Sequence, residues 1–161
     1  MFTDIVGFTE WTNSRGDEAA LALLERQDVI VSATLTPWGR IIKEIGDGLL
    51  LWFDEAAQAV QRCVSLQIEL AEVVTAEVPL WMRIGMHWGD PRWRGADIVG
   101  RDVNLAARIA EMAGPGEVLC SAETVRAAGP LAGVGYVDLG PAFLRGFSEP
   151  IALVRAEHRR S

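Results

Sequence analysis

The chain has 161 residues, half of them apolar and 23% charged, a balance that fits one soluble globular domain with a real core. A formal net charge of −7 argues against a nucleic-acid or anionic-membrane surface as the main partner, so an anionic substrate would be received through metal ions and a few placed Lys or Arg residues. No apolar run approaches the ~20 residues of a membrane span, no signal peptide is present, and Cys63 and Cys120 are too few and too far apart for a disulfide framework or a zinc site.

The segment from Phe2 to Thr9 reads as a strand end that turns at Gly7 into a helix starting near Thr9. The strand has barely begun when Asp4 arrives, so the N-terminal edge is expected to be trimmed. Asp4 sits where a buried strand meets a helix N-terminus, whose unpaired N–H groups suit phosphate oxygens. Taken alone, it reads first as a turn or capping carboxylate. Arg15-Gly16-Asp17 breaks the chain, and a long scaffold helix follows to about Thr36. Ala20, Leu23, Leu24, Ile30, Val31 and Leu35 share one face, with Gln27 in the seam and Glu18, Glu25, Ser32 and Thr36 opposite.

Lys43-Glu44-Ile45-Gly46-Asp47-Gly48 predicts a strand and a tight turn, and Leu49 to Phe53 a second strand. Gly46 and Gly48 are both expected to supply positive φ. Asp47 at the tip keeps its carboxylate in water, free to hold a hard cation, although an Asp in a glycine turn is also a common hairpin device. Lys43 lies roughly 13 Å back along an extended strand, too far to pair with it.

Asp54-Glu55 is read as the cap of a second helix, running to about Thr75 with Val60, Cys63, Leu70 and Val74 on its apolar face. Trp81 to Trp88 reads as a third strand. His87 lies in it without a Cys, His or Asp at ligand spacing and is taken as structural. Gly89 to Gly95 forms a polar loop or short arm. From about Val103 to Ala113 the pattern is helical, which places Asn104 and Arg108 on one face. After the Gly114-Pro115-Gly116 stop come a strand (Glu117 to Cys120) and a helix (Ser121 to about Ala128). Strands are then expected near Tyr136 to Leu139, Phe143 to Leu144 and Ile151 to Ala156. Arg145 would stand at a sheet end. The basic tail, about residues 157–161, is expected to fray.

The predicted order gives an α+β fold: a ferredoxin-like or palm-type βαββαβ sheet with helices and a C-terminal extension, one domain over residues 1–161. At this point four motifs in order resemble class III nucleotidyl cyclase catalytic domains. They are Phe2-Thr3-Asp4-Ile5-Val6-Gly7-Phe8-Thr9, Lys43-x-x-Gly46-Asp47-Gly48, Arg83-Ile84-Gly85-Met86-His87-x-Gly89 and Val103-Asn104-Leu105-Ala106-Ala107-Arg108. Together they span nearly the whole chain.

The resemblance implies roles. Asp4 and Asp47, with the backbone carbonyl of Ile5, match the ligands of two divalent cations, Mg²⁺ or Mn²⁺. Lys43 and Asp97 match the pair that reads a purine edge, and a Lys–Asp pair implies ATP. Asn104 matches the residue that positions the ribose, and Arg108 the one that stabilises charge at the α-phosphate. Arg145 stands where many relatives carry a Lys facing the terminal phosphates. The activity implied is an adenylyl cyclase making cyclic AMP and pyrophosphate. Its sites would be shared across a head-to-tail homodimer, so that Lys43 and Asp47 of one chain serve different ATP molecules. Trp93 and Arg94 lie in the arm, which in the family touches the partner protomer, and read either as dimer contacts or as plainly exposed residues. A cytoplasmic setting is expected, as a separate protein or as the cytosolic catalytic part of a larger one, with no nucleic-acid or membrane contact within this chain. The alternatives are a guanylyl or relaxed-specificity cyclase and a catalytically silent cyclase-like dimerisation module.

Overall fold

The computed structural model describes residues 1–159; Arg160 and Ser161, the end of the expected frayed tail, lie outside the described residues. The elements in order are β1 (Phe2–Ile5), α1 (Phe8–Arg15), α2 (Asp17–Leu35), β2 (Gly39–Ile45), β3 (Gly48–Phe53), α3 (Ala56–Val73) and β4 (Met82–Met86). A short hairpin follows, β5 (Arg92–Arg94) and β6 (Asp97–Val99). The chain closes with α4 (Arg101–Met112), β7 (Val118–Ser121), α5 (Ala122–Ala128), β8 (Val134–Ala142) and β9 (Ile151–His158).

Seven strands form one sheet in the order β2-β3-β1-β4-β7-β9-β8, and β5 and β6 pair separately as the arm. The first four are mutually antiparallel, in the βαββαβ order expected from the sequence. β4 and β7 run parallel with α4 on the connection between them. Alternation along the strands sorts residues onto two faces. Ile5, Leu49, Leu51, Phe53, Met82, Ile84 and Met86 join Leu23, Val31, Leu35, Val60, Cys63 and Leu70 in the main core beneath the helices. On the other face α4 buries Leu105, Ile109 and Ala113 against Leu119, Leu144 and Leu153. Gly85 makes that approach possible. A Cβ there would lie 2.1 Å from the Ala110 nitrogen and 2.5 Å from its Cα, well inside contact distance.

Several local expectations are corrected. Of the two hairpin glycines only Gly46 has positive φ (65°). Gly48 is already in β3 and is needed for space, because a Cβ would meet the Thr3 carbonyl oxygen at 2.6 Å. The Asp54-Glu55 cap does not form: Glu55 precedes α3 in extended conformation without a side-chain bond, and Asp54 instead accepts from Trp52 Nε1 at 2.8 Å. Phe143 and Leu144 are not a strand. The expected Tyr136–Leu139 strand is the middle of a longer β8, whose register slips between Asp138 and Gly140. The described part of the tail is paired rather than frayed, with His158 opposite Val134 and Arg159 N–H donating to Gly133 at 2.9 Å.

Candidate active site

Asp47 is presented by three neighbours. The Gly46 turn carries it past the end of β2, and the Gln27 amide, buried in the seam of α2, donates to the Asp47 backbone carbonyl at 3.1 Å. Its carboxylate then takes the Ile5 N–H at 3.0 Å across a gap of 42 residues. Val6 N–H donates to Trp81, so Val6 and Asp4 turn their backbone groups to β4 while Ile5 turns its own to the hairpin. The Ile5 carbonyl therefore lies on the Asp47 side. Asp4 projects beside Asp47, and the two carboxylates interact. Burial first, then the Asp4 carboxylate, push Asp47 up to about 6, against the opposing pull of the Ile5 N–H.

Two carboxylates share a half-buried position, an arrangement that a divalent cation relieves. Among the described residues no cluster of three or more His, Cys, Asp or Glu side chains forms, so a cation placed here would meet two carboxylates and the Ile5 carbonyl. That incomplete set suits Mg²⁺, which commonly completes its shell with substrate phosphates and water. The expectation that Asp4 might serve as a helix cap is not met. Gly7 caps α1 with no side-chain bond, leaving the first amides of α1 open, and Asp4 instead pairs with Arg83, its cross-strand neighbour on β4. Arg83 belongs to a quoted motif, but sequence reasoning assigned it no role.

Lys43 reaches its place through an irregularity the sequence does not advertise. The β2–β3 register shifts between Ile41 and Lys43, pairing Ile41 with Leu51 and Lys43 with Leu50. A regular ladder would set Lys43 opposite Leu49, on the helix-packed face. The extra residue moves it to the face opposite the main core, the face of Leu50, Trp52 and Arg40, where Lys43 is exposed. There Lys43 Nζ meets Asp97 Oδ2 at 2.6 Å, 54 residues away. The Lys43 hydrogen bond holds Asp97 below the usual carboxylate range, helped by the Ile98 N–H, which Asp97 Oδ1 accepts at 2.8 Å.

Asn104 and Arg108 emerge from α4, Asn104 exposed and Arg108 half-buried. Glu111, one turn on, gathers two arginines: its Oε1 pairs with Arg108 and lies 3.6 Å from Arg145. Arg108 and Arg145, assigned to phosphates separately, are thus brought together. Arg83 also reaches the α4 end, with Nη1 donating to the Glu111 carbonyl at 3.4 Å. Among the described residues no hydrogen bond or ion pair joins Lys43–Asp97 to Asp4–Asp47.

His87 is structural, as expected. Its Nδ1 meets the Ser121 hydroxyl at 2.8 Å and its Nε2 lies 3.5 Å from Asp102, tying β4, β7 and α4 together. Both cysteines are free and buried, and burial pushes Cys120 up to about 12.

Comparison with known proteins settles the family. Residues 1–152 match the adenylate and guanylate cyclase catalytic domain family. The chain belongs to it. Curated relatives include adenylate cyclases from Glutamicibacter nicotianae, 32% identical over 124 residues and 76% of this chain, and from Streptomyces coelicolor, 32% identical over 120 residues and 73% of it. The chain matches 30% of the length of each of these two relatives. Among solved structures, the adenylyl cyclase CyaB from P. aeruginosa superposes with a TM-score of 0.82 at 26% identity, covering 99% of this chain and 92% of that one. The guanylyl cyclase Cya2 superposes equally well, with a TM-score of 0.81 at 26% identity over 99% and 91%. The cyclase domain therefore stands on sequence and fold together, whereas likeness of fold favours neither purine. Among the described residues no helix is long and apolar enough to cross a membrane.

Proposed function

We propose that this cyclase domain is an adenylyl cyclase converting ATP to cyclic AMP and pyrophosphate. The observation that carries the reading is the Lys43–Asp97 pair, a cationic donor and an anionic acceptor side by side on the face of the sheet opposite the main core. Adenine offers an acceptor at N1 and a donor at its adjacent amino group, the complement of that pair. Guanine reverses both positions and would leave buried polar groups unmatched.

In the reaction the ATP 3′-oxygen attacks the α-phosphorus, its proton leaves, and the α-phosphate bond to pyrophosphate breaks. Bound Mg²⁺ or Mn²⁺ would make the 3′-hydroxyl more acidic and neutralise developing charge. Asp4, Asp47 and the Ile5 carbonyl would hold those ions. The open amides at the start of α1 would receive phosphate oxygens. Asn104 would orient the ribose and Arg108 stabilise charge at the α-phosphate, with Arg145 beside it facing the pyrophosphate.

Lys43 lies in β2 and Asp47 in the turn that follows it, four residues on, yet each belongs to its own cluster. This supports a head-to-tail homodimer in which one chain's carboxylates face the partner's purine and ribose groups. The test is product formation from ATP and from GTP with Mg²⁺ or Mn²⁺, across protein concentrations. Cyclic AMP from ATP, with specific activity rising as the protein is concentrated, is expected. Equal turnover of GTP would refute the purine assignment.

A further inference from the structure

The arm built from β5 and β6 has three residues per strand, too few to hold a fixed position by its own ladder. It nevertheless carries Asp97, whose carboxylate must stand at a set distance from Lys43 if the pair is to read a base. The Lys43–Asp97 ion pair cannot impose that distance alone. Both side chains are more than a third exposed (41% and 35%), and exposed pairs hold geometry weakly.

The arm is anchored by Ile98, buried beside Asp97, and an aromatic bracket on the same face adds a second hold, although Trp93 is itself 47% exposed. The Trp93 ring of β5 stands edge-on to Trp52 of β3, with centroids 5.1 Å apart and planes at 66°. The Arg40 guanidinium lies over the Trp93 ring, 5.4 Å from its centroid. Arg40 and Trp52 are cross-strand partners, so β2 and β3 grip the indole together. Trp52 is itself fixed by its bond to Asp54. Within the arm, Trp93 pairs with Ile98 and Arg94 with Asp97, so the grip acts one ladder step from Asp97. Arg40 and Lys43 share β2, so both ends of the purine-reading pair refer back to the same strand.

We propose that Trp93, clamped between Trp52 and Arg40, is a positioning residue that sets the Asp97–Lys43 spacing and so the purine preference of the site. This rests on the adenylyl cyclase reading and adds a specificity role to a tryptophan expected to be either a partner contact or plainly exposed.

The test compares kcat/KM for ATP and for GTP in the wild type, Trp93→Ala, Trp93→Phe and Arg40→Met, with the dimer followed by sedimentation. Trp93→Ala should lower the ATP-to-GTP ratio about tenfold, chiefly through ATP, while Trp93→Phe stays within about twofold of the wild type. Arg40→Met leaves the indole in place and should move the ratio the same way by a smaller factor, which keeps the test decisive if Trp93→Ala fails to fold. An unmoved ratio overturns the proposal. So does a loss shared equally by both nucleotides as the dimer dissociates, which would make Trp93 an interface residue. A wild type that turns over no ATP refutes the function itself, whereas ATP turnover with an unmoved ratio refutes only the role of Trp93.

Discussion

Two bonds hold Asp47 in place, the Gln27 amide on its backbone and the Ile5 N–H on its side chain, while the Asp4 carboxylate beside it opposes its ionisation. Asp47→Ala would remove the proposed cation ligand from a turn whose shape comes from Gly46, so the fold should survive. Cyclic AMP formation should fall at least about a thousandfold, also at saturating Mn²⁺, with circular dichroism unchanged. Retained activity would count against the metal assignment. At the purine end, Lys43→Glu combined with Asp97→Gly replaces the donor–acceptor pair. Turnover with both nucleotides should show the preference for ATP eroded by about a hundredfold. Unchanged selectivity would mean that the base is read elsewhere. The residue types at these positions were legible in the sequence. The contacts that orient them were not, because Asp4–Arg83 and Gln27–Asp47 join segments far apart in the chain and leave no local spacing to read.

At the scale of elements, α4 carries Asn104 and Arg108, and its seat is the bare backbone of Gly85. Gly85→Ala would force α4 off the sheet. A loss of about 3 kcal/mol in chemical denaturation is expected, with activity falling further than the lost stability accounts for. A second seam, at His87, titrates. Burial lowers the His87 pKa below 6.5, and Arg101 nearby acts in the same direction, outweighing the opposing pull of Asp102 and Glu123. In the unfolded chain the imidazole takes a proton near pH 6.5, and in the fold only at lower pH. The stability it contributes is therefore present above that value and lost as pH falls. Thermal melts from about pH 7.5 to 5.5 should show a decline that His87→Gln reduces. Parallel profiles would contradict the structural role given to the ring.

The order of elements was readable from hydrophobic periodicity and the glycine and proline breaks, as α2, α3 and the β2–β3 hairpin illustrate. The slip at Ile41–Lys43 was not readable. Ile41-Ile42-Lys43 holds no glycine, and a one-residue insertion changes the face of a side chain without changing composition. The tail misled for a related reason. Its charged residues alternate along a strand whose partner, β8, was expected to be shorter.

In the whole molecule, no hydrogen bond or ion pair among the described residues joins the two clusters of one chain. The carboxylates gather at the turn after β2, while the purine pair gathers on the arm side of the same strand. In the proposed head-to-tail homodimer a twin chain completes each site, so two incomplete chains should be able to make one complete site between them. The direct measurement mixes Asp47→Ala protein, inactive alone, with Arg108→Ala protein, also inactive alone. Random pairing should restore about a quarter of wild-type cyclic AMP production, because half of the dimers are mixed and each of those holds one intact site. A mixture of two well-folded variants that dimerise yet stays as inactive as its components would contradict the shared site.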